Sequence, residues 1–115
     1  LERNYMKTDK EFEFELMGEK VTAHLEKCRY VNNNNIALII VTDEGDWGYL
    51  TVNLVNLNDD SIVVDNNNLR GCNVIEELEK LNILVPTEIV VPCGFCTYKI
   101  YKVTEKLDDY CIERG

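Results

Sequence analysis

Residues 10–25 read Lys-Glu-Phe-Glu-Phe-Glu-Leu-Met-Gly-Glu-Lys-Val-Thr-Ala-His-Leu, and the period of this stretch decides the fold. From Lys10 to Leu16 apolar and acidic residues alternate without a break, with Phe12, Phe14 and Leu16 on one side and Glu11, Glu13 and Glu15 on the other. A period of two with aromatics on one parity describes a strand that buries one face. Gly18-Glu19 is placed to turn the chain, and Val21 to about Tyr30 returns beside the first strand. Val21, Ala23 and Leu25 take the core parity of this return, while Thr22, His24 and Glu26 face out. The first element is therefore an antiparallel hairpin with an apolar face to cover.

Beyond it, Asn32 to Asn35 is a run of four asparagines, which tolerate left-handed backbone and bond locally, so it reads as a loop. Ile36 to Thr42 is almost continuously aliphatic and fits a central strand. Asp43-Glu44-Gly45-Asp46 turns the chain, and Trp47 to Leu54 alternates back as a second hairpin. Ser61 to Asp65 is a short fifth strand, followed by the loop Asn66-Asn67-Asn68.

One helix is expected. Val74, Ile75, Leu78 and Leu81 recur at helical spacing, Asn73 stands where an N-cap belongs, and Glu76 lies three residues on, close to a capping box. Asn82 ends the helix and Pro86 blocks its continuation. Thr87 to Val91 and Phe95 to Val103 are again β-rich. The expected architecture is α+β, a mainly antiparallel sheet of six to seven strands with one short packed helix. A lead over residues 1–9, one domain over residues 10–103 and a C-terminal tail over residues 104–115 account for the chain.

The 115 residues suit one domain, and 45% hydrophobic content is ample for a core. No apolar run approaches the ~18 residues that cross a bilayer, and Leu1 to Met6 carry no apolar signal segment, so a cytoplasmic, membrane-free protein is expected. Five cysteines, Cys28, Cys72, Cys93, Cys96 and Cys111, are an odd number that fits reduced thiols. Twelve basic against twenty-one acidic residues give a net charge of −9. The excess concentrates between residues 31 and 69, where Asp43, Glu44, Asp46, Asp59, Asp60 and Asp65 have no Lys or Arg among them. Phosphate binding depends on cations, so direct nucleic-acid binding is not expected. Clustered carboxylates instead favour a protein partner with a basic surface, and these six are the candidate contact residues.

Cys93-Gly94-Phe95-Cys96 has the spacing of a redox pair, but that chemistry wants the first cysteine at a helix N-terminus, and here a strand follows. A single pair also falls short of a four-cysteine zinc site. Asp43-Glu44-Gly45-Asp46 lacks the bidentate glutamate of a calcium loop and reads as a solvated turn. A Cys–His nucleophile–base pair, His24 with Cys28 for instance, stands against the simpler reading of a surface imidazole. Trp47, Tyr49, Tyr98 and Tyr101 are either an interaction patch or cross-strand packing.

Leu50-Thr51-Val52-Asn53-Leu54, Val64-Asp65-Asn66-Asn67-Asn68 and Cys93-Gly94-Phe95-Cys96-Thr97-Tyr98-Lys99-Ile100-Tyr101, in this order, resemble the bacterial domain-of-unknown-function family 4313. The resemblance spans about residues 10–103, with Asn66 where that family usually has Thr and Cys93 where it has Ser before Gly-Phe. It implies no catalytic residue or cofactor. What it implies is a setting on phages, plasmids and conjugative elements, where small acidic proteins block host defences. The leading expectation is thus a non-enzymatic accessory factor of a mobile element, an anti-defence inhibitor such as an anti-CRISPR or antirestriction protein, acting through its acidic surface. The alternatives are a small thiol or metal-binding protein using Cys93 and Cys96, and a structural module that self-assembles through a sheet edge.

Overall fold

The alternating stretch forms β1 (Phe12–Leu16), which folds back on β2 (Glu19–Arg29) in antiparallel register. This computed structural model describes residues 10–114. Phe12, Phe14, Ala23 and Leu25 are buried and Glu11, Glu13 and Glu15 exposed, so the parity read from the sequence is the parity of the core. The turn is Met17-Gly18, one residue earlier than expected. Both residues have positive φ, 52° and 86°, which gives a two-residue loop the twist its strands require.

β3 (Ile36–Thr42) pairs with β2 on its other edge, and β4 (Gly45–Tyr49) pairs with β3. The aliphatic run of β3 is buried from Ile36 to Val41, as a strand with neighbours on both edges should be. β2 outruns β1, and the remaining length of that edge takes a short C-terminal strand in parallel register, with Leu25 opposite Cys111.

A second sheet holds β5 (Ser61–Val64), β6 (Leu84–Cys93) and β7 (Cys96–Val103), in the order β5-β7-β6. The two sheets meet at Leu50 to Val52. The Leu50 N–H donates to the Leu38 carbonyl at 2.8 Å, whereas the Val52 N–H donates to Val63 at 3.0 Å and Thr51 bridges Val64. The strand expected over Trp47–Leu54 is therefore not one strand: β4 ends at Tyr49, and beyond it only the Thr51 bridge joins the second sheet. Burial does not alternate through the change, since Leu50 and Thr51 are buried in succession.

The helix α1 (Val74–Lys80) buries Val74 and Leu78. Its C-terminus closes as a Schellman motif: Ile83 N–H donates to Leu78, Asn82 N–H donates to Glu79, and Asn82 takes a left-handed φ of 61°. Asn73 stands at the N-cap without capping. Its Oδ1 accepts from the Glu15 N–H at 2.6 Å and its Nδ2 donates to Glu77, so the expected capping box gives way to a tie between helix and β1.

The antiparallel strands and single helix agree with the α+β expectation. The strand number does not: the described residues form eight strands in two sheets, where six to seven in one sheet were expected. The difference comes partly from residues 104–114, expected as a tail. Thr104 opens a 3-10 turn (Glu105–Asp109), its hydroxyl accepting from the Lys106 N–H, and Cys111–Glu113 then forms β8 against β2. Leu107 is buried in the core, which is why this segment docks. The lead over residues 1–9 lies outside the described residues. No helix among the described residues is long and apolar enough to cross a membrane.

Candidate functional site

The outer part of the β6–β7 hairpin is the most unusual surface of the molecule. β5 pairs with β7 only from Lys99 to Lys102, so Val91–Cys93 and Cys96–Tyr98 pair with each other alone. A two-stranded ribbon has no core of its own, and something must hold it. Asn66 does so by imitating a strand: its Oδ1 accepts from the Lys99 N–H at 3.1 Å, and its Nδ2 donates to the Thr97 carbonyl at 3.2 Å. Asn67 adds a second bond to Thr97 at 3.3 Å. The asparagine loop seen in the sequence is thus a latch at the base of the ribbon.

Nearer the base, β6 bulges. Pro86 faces Tyr101 and Val90 faces Lys99, leaving Thr87, Glu88 and Ile89 to span the interval opposite Ile100. Glu88 takes a φ of 70°, and the Thr87 hydroxyl fastens the bulge by donating to the Ile100 carbonyl at 2.8 Å. A shallow recess of about 190 Å³ opens there, lined by Pro86, Ile89, Val90, Lys99 and Tyr101 among others. Behind it Tyr101 donates to Glu79 of α1 at 2.7 Å; burial and the facing carboxylate raise the phenol's pKa, so it stays protonated.

Eight large hydrophobic side chains are exposed among the described residues, and four of them, Val85, Ile89, Val90 and Phe95, lie on this hairpin. Phe95 at its tip is fully exposed. Scattered apolar side chains are ordinary on a surface, but a group on one hairpin is a feature of contact sites.

The six acidic candidates do not gather into one group. Asp43 and Glu44 form the β3–β4 turn, where the Thr42 hydroxyl accepts from the Glu44 N–H at 3.2 Å. Asp46 follows in β4 and is held by Arg114. Asp59 and Asp60 lie toward the other end of β3, Asp59 being 3.5 Å from Arg29, whose backbone pairs with Ile36. Six residues of strand, roughly 20 Å, separate Ile36 from Thr42. Asp60 is 3.9 Å from Lys102. Asp65 is half-buried; its Oδ2 accepts from Asn68 at 2.9 Å and its Oδ1 is buried without a hydrogen bond. Three of the six carboxylates thus already face a cation within the chain, from segments whose proximity no sequence pattern announces.

His24 is 3.3 Å from Glu26 and faces no thiol, since Cys28 lies four residues along the same strand, roughly 13 Å away. Cys93 and Cys96 are exposed at the hairpin tip, not at a helix terminus; Cys28, Cys72 and Cys111 are half-buried. No group of three or more His, Cys, Asp or Glu is arranged to hold a metal ion among the described residues. Trp47 and Tyr101 belong to packing: Trp47 meets Phe14 edge-on at 5.2 Å, and Tyr101 is buried. The apolar hairpin went unread in the sequence. Its signal was Pro86 and Pro92 flanking apolar residues within a strand, a sign of an edge. Family models, curated proteins and solved structures were each compared with the chain, and none matches it.

Proposed function

We propose that this chain is a non-enzymatic protein-binding module that docks through the β6–β7 hairpin. The observation that carries this reading is the concentration of exposed Val85, Ile89, Val90 and Phe95 on one hairpin, with Phe95 at its tip. Their burial in a partner recovers on the order of 25 cal/mol per Å² of apolar surface, Phe95 being fully exposed and the other three about half exposed. The rigid bulge and the Asn66 latch support the reading, because a pre-ordered contact element loses less entropy on binding.

The acidic groups serve this contact at longer range. Asp43 and Glu44 at one end of the first sheet, with the net charge of −9, favour encounter with a basic partner. The setting of a mobile-element accessory factor that blocks a host defence complex rests on the family resemblance alone. Self-assembly by edge pairing is the weaker reading, since Pro86 and Pro92 cannot donate from the outer edge of β6 and Glu88 kinks it.

The double variant Ile89→Ser/Phe95→Ser tests the proposal. It is expected to melt with the wild type, both side chains being exposed, and to capture the partner from host cells at least tenfold less. Equal capture by variant and wild type contradicts docking through the hairpin.

A further inference from the structure

Cys93 and Cys96 stand opposite each other on the last rung of the β6–β7 ladder, and both are exposed. Only Gly94 and Phe95 separate them. Gly94 has a φ of 64° and Phe95 is not in the left-handed region, so glycine occupies the first corner of a type II′ turn. That geometry fixes the relation of the thiols. Opposed residues of an antiparallel ladder project to the same face, with Cα atoms about 5.5 Å apart in a hydrogen-bonded pair and Cβ atoms about 4.5–5.5 Å apart. A disulfide accepts Cα separations of about 4.4–6.8 Å and brings Cβ atoms to about 3.8 Å. The backbone is therefore already in range, and the side chains must close by about 1 Å. A bond made under that strain, at an exposed tip, belongs to the labile class and not to the structural staples.

We propose that Cys93 and Cys96 form a reversible dithiol–disulfide site, oxidised by small-molecule disulfides of the glutathione class. One cysteine loses its proton to solvent, and its thiolate attacks a sulfur of the oxidised glutathione. The glutathione S–S bond breaks, one glutathione thiolate leaves, and a mixed disulfide remains on the protein. The opposed cysteine, deprotonated in turn, attacks the protein-bound sulfur; the Cys93–Cys96 bond forms and the second glutathione thiolate departs. Two electrons pass from the protein thiols to the oxidant, and the two released thiolates take up the two protons. The second step is fast because both sulfurs are held on one rung.

The remaining cysteines are set apart from this chemistry. Cys72 donates its thiol hydrogen to the Leu69 carbonyl at 3.2 Å, and burial pushes the Cys111 thiol up to about 12, so it stays protonated at neutral pH. Cys28 is half-buried on β2, away from the hairpin tip. The site does not depend on the protein-binding reading, and its test uses the protein alone.

The reduced protein is incubated with oxidised glutathione, quenched in acid and mapped by peptide mass. The wild type is expected to lose two hydrogen atoms, with Cys93 and Cys96 joined in one peptide, and to regain them with excess reduced glutathione. Cys93→Ser and Cys96→Ser are each expected to keep a glutathione adduct on the cysteine that remains. Persistent adducts on the wild type, a bond between other cysteines, or no reaction overturns the proposal. Circular dichroism of the two serine variants confirms that each is folded when it is scored.

Discussion

Arg114 grips Asp46 with both arms of its guanidinium, Nη1 to Oδ2 at 3.1 Å and Nη2 to Oδ1 at 2.7 Å, while its Nε donates to Glu26 at 2.7 Å. Residues 68 positions apart are thereby joined, and β8 is fastened across β2 and β3 to the start of β4. The pair holds the Asp46 carboxyl below its ordinary value of 3.8, chiefly through the hydrogen bonds from Arg114. A carboxyl depressed in the folded state adds stability above its unfolded pKa and loses it as pH falls through the folded value. Arg114→Ala is therefore expected to lower the urea midpoint near neutral pH, with the gap to wild type closing in acid well below 3.8. A gap that persists in acid means that Arg114 acts through the packing of β8 and not through this charge pair.

Asn35 carries the second prediction. It is buried, its Nδ2 donating to Asn53 at 3.1 Å and to the Val55 carbonyl at 2.6 Å, and its Oδ1 accepting from the Leu57 N–H at 3.1 Å. One amide thus supplies the partners that the loop over residues 53–57 lacks within either sheet. Asn35→Leu keeps the volume but leaves those groups unpaired, and is expected to cost about 2 kcal/mol, which thermal unfolding reads as roughly 10 °C. A shift below about 2 °C contradicts this role.

Met17 holds a φ of 52° in the β1–β2 turn with its side chain exposed. Asparagine adopts that conformation more easily, so Met17→Asn is expected to stabilise the protein by about 0.5–1 kcal/mol. A lower melting temperature for this variant means that the Met17 side chain contributes contacts of its own.

Asn66 latches the ribbon through two backbone bonds to β7. Asn66→Ala is expected to cost about 1 kcal/mol and to speed amide hydrogen exchange at Lys99 while leaving β1–β3 unchanged. Unaltered protection at Lys99 contradicts the latch.

These residues also show what the sequence can disclose. Phe12, Phe14, Ala23 and Leu25 announce their burial because the period of a half-buried strand is local, and the Leu78–Asn82 helix end is legible because a left-handed asparagine closes it within five residues. The transfer of the chain between sheets at Leu50 leaves no mark in the sequence, where residues 47–54 alternate as one strand although β4 ends at Tyr49. Cys111–Glu113 is too short to show a period, and its partner Leu25 is remote. For the same reason the acidic segment looked bare of cations, although Arg29, Lys102 and Arg114 reach Asp59, Asp60 and Asp46 from elsewhere in the chain. Apolar content in the β6–β7 hairpin reads as core until β6 is seen to be an edge strand with exposed side chains.

The central claim is that the chain works by docking its hairpin against another protein. Its most direct test places a photoreactive benzoylphenylalanine at position 95 in the native host, with the same group at exposed Glu11, just before β1, as control. One discrete crosslinked partner from position 95, absent from position 11, is the expected result. No crosslink from position 95, or the same products from both positions, contradicts it.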